Sequence, residues 1–145
     1  MSFDLCVLAR QLSRATDLAR RCPDVKFILD HCGVPDVKGR GLDPWRADLA
    51  KLAELPNVVA CKISGLVAYA DPANWTTSDL RPFVDHAVQS FGHDRVMFGS
   101  DWPVCTLTCT YAKWVLAALE LTSDWSARDR EKFFSANPRR VYRLA

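Results

Sequence analysis

The chain has 145 residues, 49% hydrophobic and 25% charged, which is enough for one domain over residues 1–145 and argues against disorder. Its formal net charge is only +2, and its bases alternate with acids, as in Arg128-Asp129-Arg130-Glu131-Lys132, so no basic stripe offers itself to nucleic acid. No apolar run is long enough for a bilayer and no leader opens the chain, so a cytoplasmic protein with reduced, buried cysteines is expected.

An apolar run over residues 3–8 is predicted as the first strand. Leu12, Ala15, Leu18 and Ala19 then recur at helical spacing over residues 11–21, and Pro23 stops that helix. The second run, residues 25–29, ends in Asp30-His31. After a glycine-rich loop, Asp43 is expected to cap a helix with Pro44 at its first position, carrying Trp45, Leu49, Leu52 and Ala53. The third run, residues 58–63, ends in Ser64-Gly65. Ser78 or Asp79 is expected to cap the next helix, which Gly92 terminates after Phe91. The fourth run, residues 96–98, leads into Gly99-Ser100-Asp101-Trp102-Pro103. Helices follow over residues 111–121 and from Ser126 through Phe133-Phe134, with Asn137-Pro138 as an interruption. Four strand–helix units with continuous apolar strands predict an α/β fold with a parallel sheet covered on both faces.

Polar residues end three of these strands, where parallel α/β folds bind ligands. His31 is a candidate proton shuttle, electrophile or ligand, and Asp101 a candidate general base or metal ligand. Asp30 competes with His31, since alternation along a strand lets only one of them face inward; it is expected to bond the following loop instead. Lys62 inside an apolar strand needs water, a carboxylate or an anionic substrate for its ammonium. Ser64 reads as structural, His86 and His93 as solvated, and Trp45, Trp75 and Trp114 as packing residues, whereas Trp102 beside Asp101 is placed to wall a pocket.

Leu29-Asp30-His31-Cys32-Gly33-Val34-Pro35 resembles the Asp-His-x-Gly-x-Pro motif of the amidohydrolase-related, TIM-barrel family of metal-dependent hydrolases. Asn57-Val58, Cys61-Lys62-Ile63-Ser64-Gly65-Leu66 resembles its next strand, and Phe91-Gly92 with the segment from Asp94 through Val104 resembles its last strand and loop. The nearest branch is that of the sugar-lactone and pyrone-dicarboxylate lactonases. The resemblance implies four parallel βα units forming the C-terminal half of a (β/α)8 barrel. It assigns His31 to the reacting carbonyl and Asp101 to activation of water; Lys62 and Trp102 are expected as substrate contacts from their own positions in the chain. Arg10, Lys38 and Arg40 are lesser candidates for holding a substrate carboxylate or hydroxyl. His31 and Asp101 are also the positions that hold a divalent metal such as zinc elsewhere in the superfamily.

The family's opening His-x-His is missing here, and a zinc site ordinarily needs three protein ligands. Cys32 and Cys61 read as inert buried thiols, so no tightly bound metal is expected. The resulting expectation is a lactonase-like hydrolase of a lactone or cyclic ester, with no nucleic-acid or membrane partner. A non-catalytic, truncated half-barrel or interaction module needing a partner chain is the alternative, because half a barrel leaves open sheet edges and an uncovered inner face. The start of the chain almost on a strand suggests an origin inside a longer gene. A homodimer closing an eight-stranded barrel would restore a complete site.

Overall fold

The computed structural model describes residues 2–144. Strands β1 (Ser2–Leu5), β2 (Lys26–Leu29), β3 (Val58–Ile63) and β4 (Val96–Phe98) form one parallel sheet in sequence order. Helices α1 (Leu12–Arg21), α2 (Trp45–Ala53), α3 (Thr77–Phe91) and α4 (Tyr111–Leu121) follow the four strands. Short helices α5 (Ala127–Glu131) and α6 (Asn137–Tyr142) close the chain, joined by a π-turn over Lys132–Ala136. No helix among the described residues is long and apolar enough to cross a membrane.

The sheet has two unlike faces. Leu5, Phe27, Leu29, Val58, Cys61, Ile63 and Val96 point toward the helices and meet Leu12, Trp45, Leu49, Leu52, Leu80, Phe83 and Trp114 in the main core. The opposite face holds a small apolar cluster of Ile28, Ala60 and Met97, with Val59 packed against it, and carries the charged side chains of Asp4 and Lys62. A register shift between β2 and β3 skips Val59, so that Ala60 comes opposite Ile28. Among the described residues, β1 and β4 each leave one edge unpaired.

Several local expectations change. The first strand ends at Leu5 rather than at residue 8, because the chain turns away into a 3-10 turn at Ala9–Gln11. Asp43 makes no capping bond to α2; it pairs with Arg46 instead, and Pro44 occupies the cap position. Helix α3 starts two to three residues earlier than a Ser78 or Asp79 cap implies, through a capping box of Thr76 and Asp79. Asn137-Pro138 does not break the last helical run, since a proline in the first turn lacks no needed N–H and the π-turn carries the chain into α6. The inner face is not wholly uncovered either: Val141 and Tyr142 of α6 pack against Ile28, Ala60 and Met97.

Helix α6 is anchored by Asn137, a buried side chain whose amide donates to the carbonyls of His93 and Val96 at 2.8 and 2.7 Å. Removing it leaves two carbonyls short of a donor in a place water does not reach. Asn137→Ala is expected to lower the unfolding free energy by about 2 to 3 kcal/mol, and Arg139→Ala, on the exposed side of the same helix, by less than about 0.5 kcal/mol. Urea denaturation followed by circular dichroism measures both.

Candidate functional site

The polar ends of the four strands converge on one side of the sheet. His31 follows β2, Ser64 follows β3 and Asp101 follows β4. The imidazole Nδ1 lies 2.8 Å from Ser64 Oγ, and Nε2 faces Asp101 Oδ1 at 3.7 Å. Both side chains are largely covered, with 18% and 13% of their surface exposed. Ser64, read as structural, is thus the residue that orients the imidazole.

Local backbone conformation explains how these groups meet. His31 and Cys32 adopt left-handed conformations, with φ of 54° and 52°, so strand alternation stops after Leu29. Asp30 and His31 therefore both turn their polar atoms into the same region, and the sequence-based choice between them dissolves. Asp101 has φ of 51°. Non-glycine residues in this region are uncommon and persist only where the surroundings hold them. Here the Trp45 indole donates to the Cys32 carbonyl at 2.7 Å, and the Trp114 indole donates to the Gly99 carbonyl at 3.0 Å. Two glycines leave room: a Cβ on Gly65 would stand 2.8 Å from His31 Nδ1, and one on Gly99 would stand 2.8 Å from Ser64 Cβ.

Beneath His31 lies a charged network. Lys62 Nζ contacts Asp30 Oδ1 at 2.7 Å and Asp4 Oδ2 at 3.1 Å, and the Tyr142 hydroxyl donates to Asp4. Asp30 pairs with this ammonium rather than with the loop that follows it. Burial pulls the Lys62 ammonium down, but its bonds to Asp30, Tyr142 and Asp4 outweigh that and hold it well above the ordinary lysine range. Burial raises the Asp101 carboxyl; His31 and Lys62 oppose the rise and Asp30 adds to it.

Cys6 joins this cluster. Its thiol, pushed up by burial and by the charges of Asp30 and Asp101, comes together with Asp30 and His31. The sulfur, a carboxylate oxygen and a ring nitrogen all lie within 4.8 Å of one another. The apolar run over residues 3–8 suggests that Cys6 lies inside a buried strand, but the strand ends at Leu5; its position two residues after Asp4 is the signal the sequence offers. Cys32 and Cys61 are fully buried.

The remaining candidates divide. Trp102 is 67% exposed next to Asp101, and Val104 and Leu107 are exposed in the loop beyond it. Arg40 pairs with Asp79 at 2.6 Å, away from the His31 cluster. His86 and His93 are not simply solvated: the former bonds the Arg46 carbonyl and packs on Trp45, and the latter stacks edge-on against Trp125.

Comparison with known proteins agrees with this fold. The L-fucono-1,5-lactonase of Burkholderia multivorans is 39% identical over 153 residues, covering 98% of this chain and 51% of that protein. A crystal structure of an amidohydrolase from Burkholderia multivorans with bound zinc superposes with a TM-score of 0.91 at 36% identity, over 99% of this chain and 53% of that one. Amidohydrolase 2 from Bifidobacterium longum subsp. infantis gives a TM-score of 0.75 at 31% identity, over 100% of this chain and 50% of that one. The chain thus spans about half the length of these relatives, as the C-terminal half of a TIM barrel does. The amidohydrolase family profile matches residues 1–144, and the chain belongs to that family.

Proposed function

We propose that this chain carries one half of a hydrolytic site that opens a lactone or related cyclic ester, with Asp101 as general base and His31 as the group facing the carbonyl. The observation that carries this reading is the opposition of His31 Nε2 and Asp101 Oδ1 across 3.7 Å, with Ser64 holding the other ring nitrogen. A water between the two strand ends gives its proton to Asp101 as its oxygen attacks the carbonyl carbon. His31 stabilises the oxyanion. Collapse breaks the ring C–O bond, and the proton held by Asp101 passes to the leaving alkoxide. Trp102 walls the substrate from the β4 side. Lys62, already engaged by two carboxylates, offers its remaining hydrogen-bond capacity to a substrate oxygen. The lactonase relative supports the substrate class, a small-molecule lactone.

A divalent metal such as zinc, when bound, supplies Lewis-acid polarisation of water or carbonyl. The three donor atoms gathered at Cys6, Asp30 and His31 fit such an ion, and the family pattern names His31 and Asp101. The unpaired edges of β1 and β4 favour a second requirement: four further units must close the barrel, from a second copy of this chain or from another chain. Without them the chain is the non-catalytic half-barrel of the alternative reading. Light scattering on the purified chain distinguishes a discrete dimer from a monomer that awaits a partner.

Asp101→Asn is expected to reduce kcat/KM on a panel of aldonolactones by about 10²- to 10⁴-fold, the range of a lost general base; pH-stat titration measures it, and equal turnover removes the assignment. The native enzyme loses kcat/KM as pH falls through the raised Asp101 pKa, so its acid limb lies above the ordinary carboxylate range. The stability consequence has the opposite sense: a raised folded pKa disfavours the ionised fold, so Asp101→Asn stabilises at neutral pH. That gain disappears as pH drops below the raised value. Thermal melts at pH 7 and pH 4 check it.

Gly65→Ala is expected to cost about a hundredfold in kcat by displacing the imidazole. Gly92→Ala shares its positive φ (69° against 68°) but meets no atom within 4 Å, so it destabilises without loss of kcat. The same lactone assay, alongside melting curves, separates ring displacement from backbone strain.

A further inference from the structure

We infer that the cavity where α6 crosses the starts of the strands binds a phosphate group carried by a small soluble molecule. The cavity measures about 280 Å³ and sits on the inner face of the sheet, at the opposite ends of the strands from His31. Three cationic side chains line it, Lys26, Arg140 and Arg143, and no carboxylate does. Two elements far apart in sequence supply that charge. Lys26 opens β2 two residues before Ile28, so alternation puts its stem on the same inner face, and Ser2 stands beside it in register. The register shift between β2 and β3 skips Val59, which with Val141 makes the apolar wall.

Helix α6 brings the two arginines. Arg143 caps it in the left-handed conformation, with φ of 54°, a position that usually belongs to glycine. The Leu144 N–H closes that turn on the Arg139 carbonyl at 3.0 Å. A residue with a β-carbon there costs stability, and such residues gather at sites that bind ligands. Bases at a helix C-terminus also complement its dipole, which accounts for Arg139 and Arg140 but not for Lys26 on a separate strand. Among the described residues Lys26 and Arg143 enter no ion pair. Arg140 Nη2 donates to two neutral acceptors, the Asp94 carbonyl and Asn137 Oδ1, while the Asp94 carboxylate is taken by Lys132 at 2.8 Å. Cations around one small cavity repel one another until an anion joins them. Guanidinium forks match phosphate oxygens, and an ammonium adds a point charge. A bare phosphate does not fill the space, and a short carbon skeleton beside it rests on Val59 and Val141.

The test titrates glycerol 3-phosphate, with inorganic phosphate beside it, into the nitrogen-15-labelled full chain at constant ionic strength, chloride serving as the control anion. Saturable amide shifts are expected at the starts of β1 and β2 and at the end of α6. The expected Kd is on the order of 1 mM, as a few charge-assisted hydrogen bonds give, with glycerol 3-phosphate tighter than bare phosphate. Lys26→Ala weakens binding by about tenfold, whereas Arg139→Ala, on the exposed side of α6, leaves it unchanged. Arg143→Gly relieves the left-handed cap, so it melts no lower than the native chain and still loses binding, which keeps the result independent of folding. Shifts that never saturate, shifts that chloride reproduces, binding centred on the strand ends at His31, or binding that survives both Lys26→Ala and Arg143→Gly overturns the inference. Lys26-dependent binding of phosphatidic acid vesicles, with none of glycerol 3-phosphate, overturns it too and moves the same headgroup chemistry to a lipid surface. Lactone turnover is not the readout, so failure of the hydrolytic reading and failure of this site are separately visible.

Discussion

An ammonium group inside the curve of a parallel sheet is expensive unless carboxylates meet it, and Lys62 has two of them. Asp30, just beyond the end of β2, and Asp4, on β1, take it at 2.7 and 3.1 Å, and Tyr142 reaches from the far end of the chain to share Asp4. One charged side chain thus ties β1, β2, β3 and α6 into a single polar floor. Removing either carboxylate leaves a poorly compensated charge, and such loss costs more than the intact pair contributes. His31 and Cys6 stand on that floor, and the positions of both depend on it.

Much of the architecture was legible in the pattern of residues. Continuous apolar runs ending in polar residues, separated by amphipathic helices, identify parallel strands because only covered strands tolerate them. His31 and Asp101 were legible for the same reason: a core would not choose them at strand ends. Cys6 was not, because a cysteine in an apolar run looks like packing until the strand is seen to end at Leu5. Asp30 and His31 seemed exclusive because alternation holds only while the backbone is extended, and it ceases to be extended at His31. The role of α6 lay beyond local pattern altogether, since residues four apart in a short helix do not announce which sheet face they will cover.

The site also concentrates conformational strain. His31, Cys32, Val34 and Asp101 all have positive φ without being glycine. Indoles on α2 and α4 clamp the carbonyls of Cys32 and Gly99, so the energy of helix packing holds these residues in place. A proposed chemical role and a structural cost meet in the same few residues, and Asp101, whose ionisation burial disfavours, shows the same opposition in its charge.

Helix α6 has a consequence for assembly. Val141 and Tyr142 lie across the start of the strands, bordering a cavity of about 280 Å³ with Ser2, Lys26 and Val59. They stopper the end of the sheet opposite His31, so a closed barrel built on this half is a cul-de-sac, with traffic through one mouth. A barrel also has only one bottom to stopper. Any half that closes a barrel against this one meets Val141 and Tyr142 already in place there.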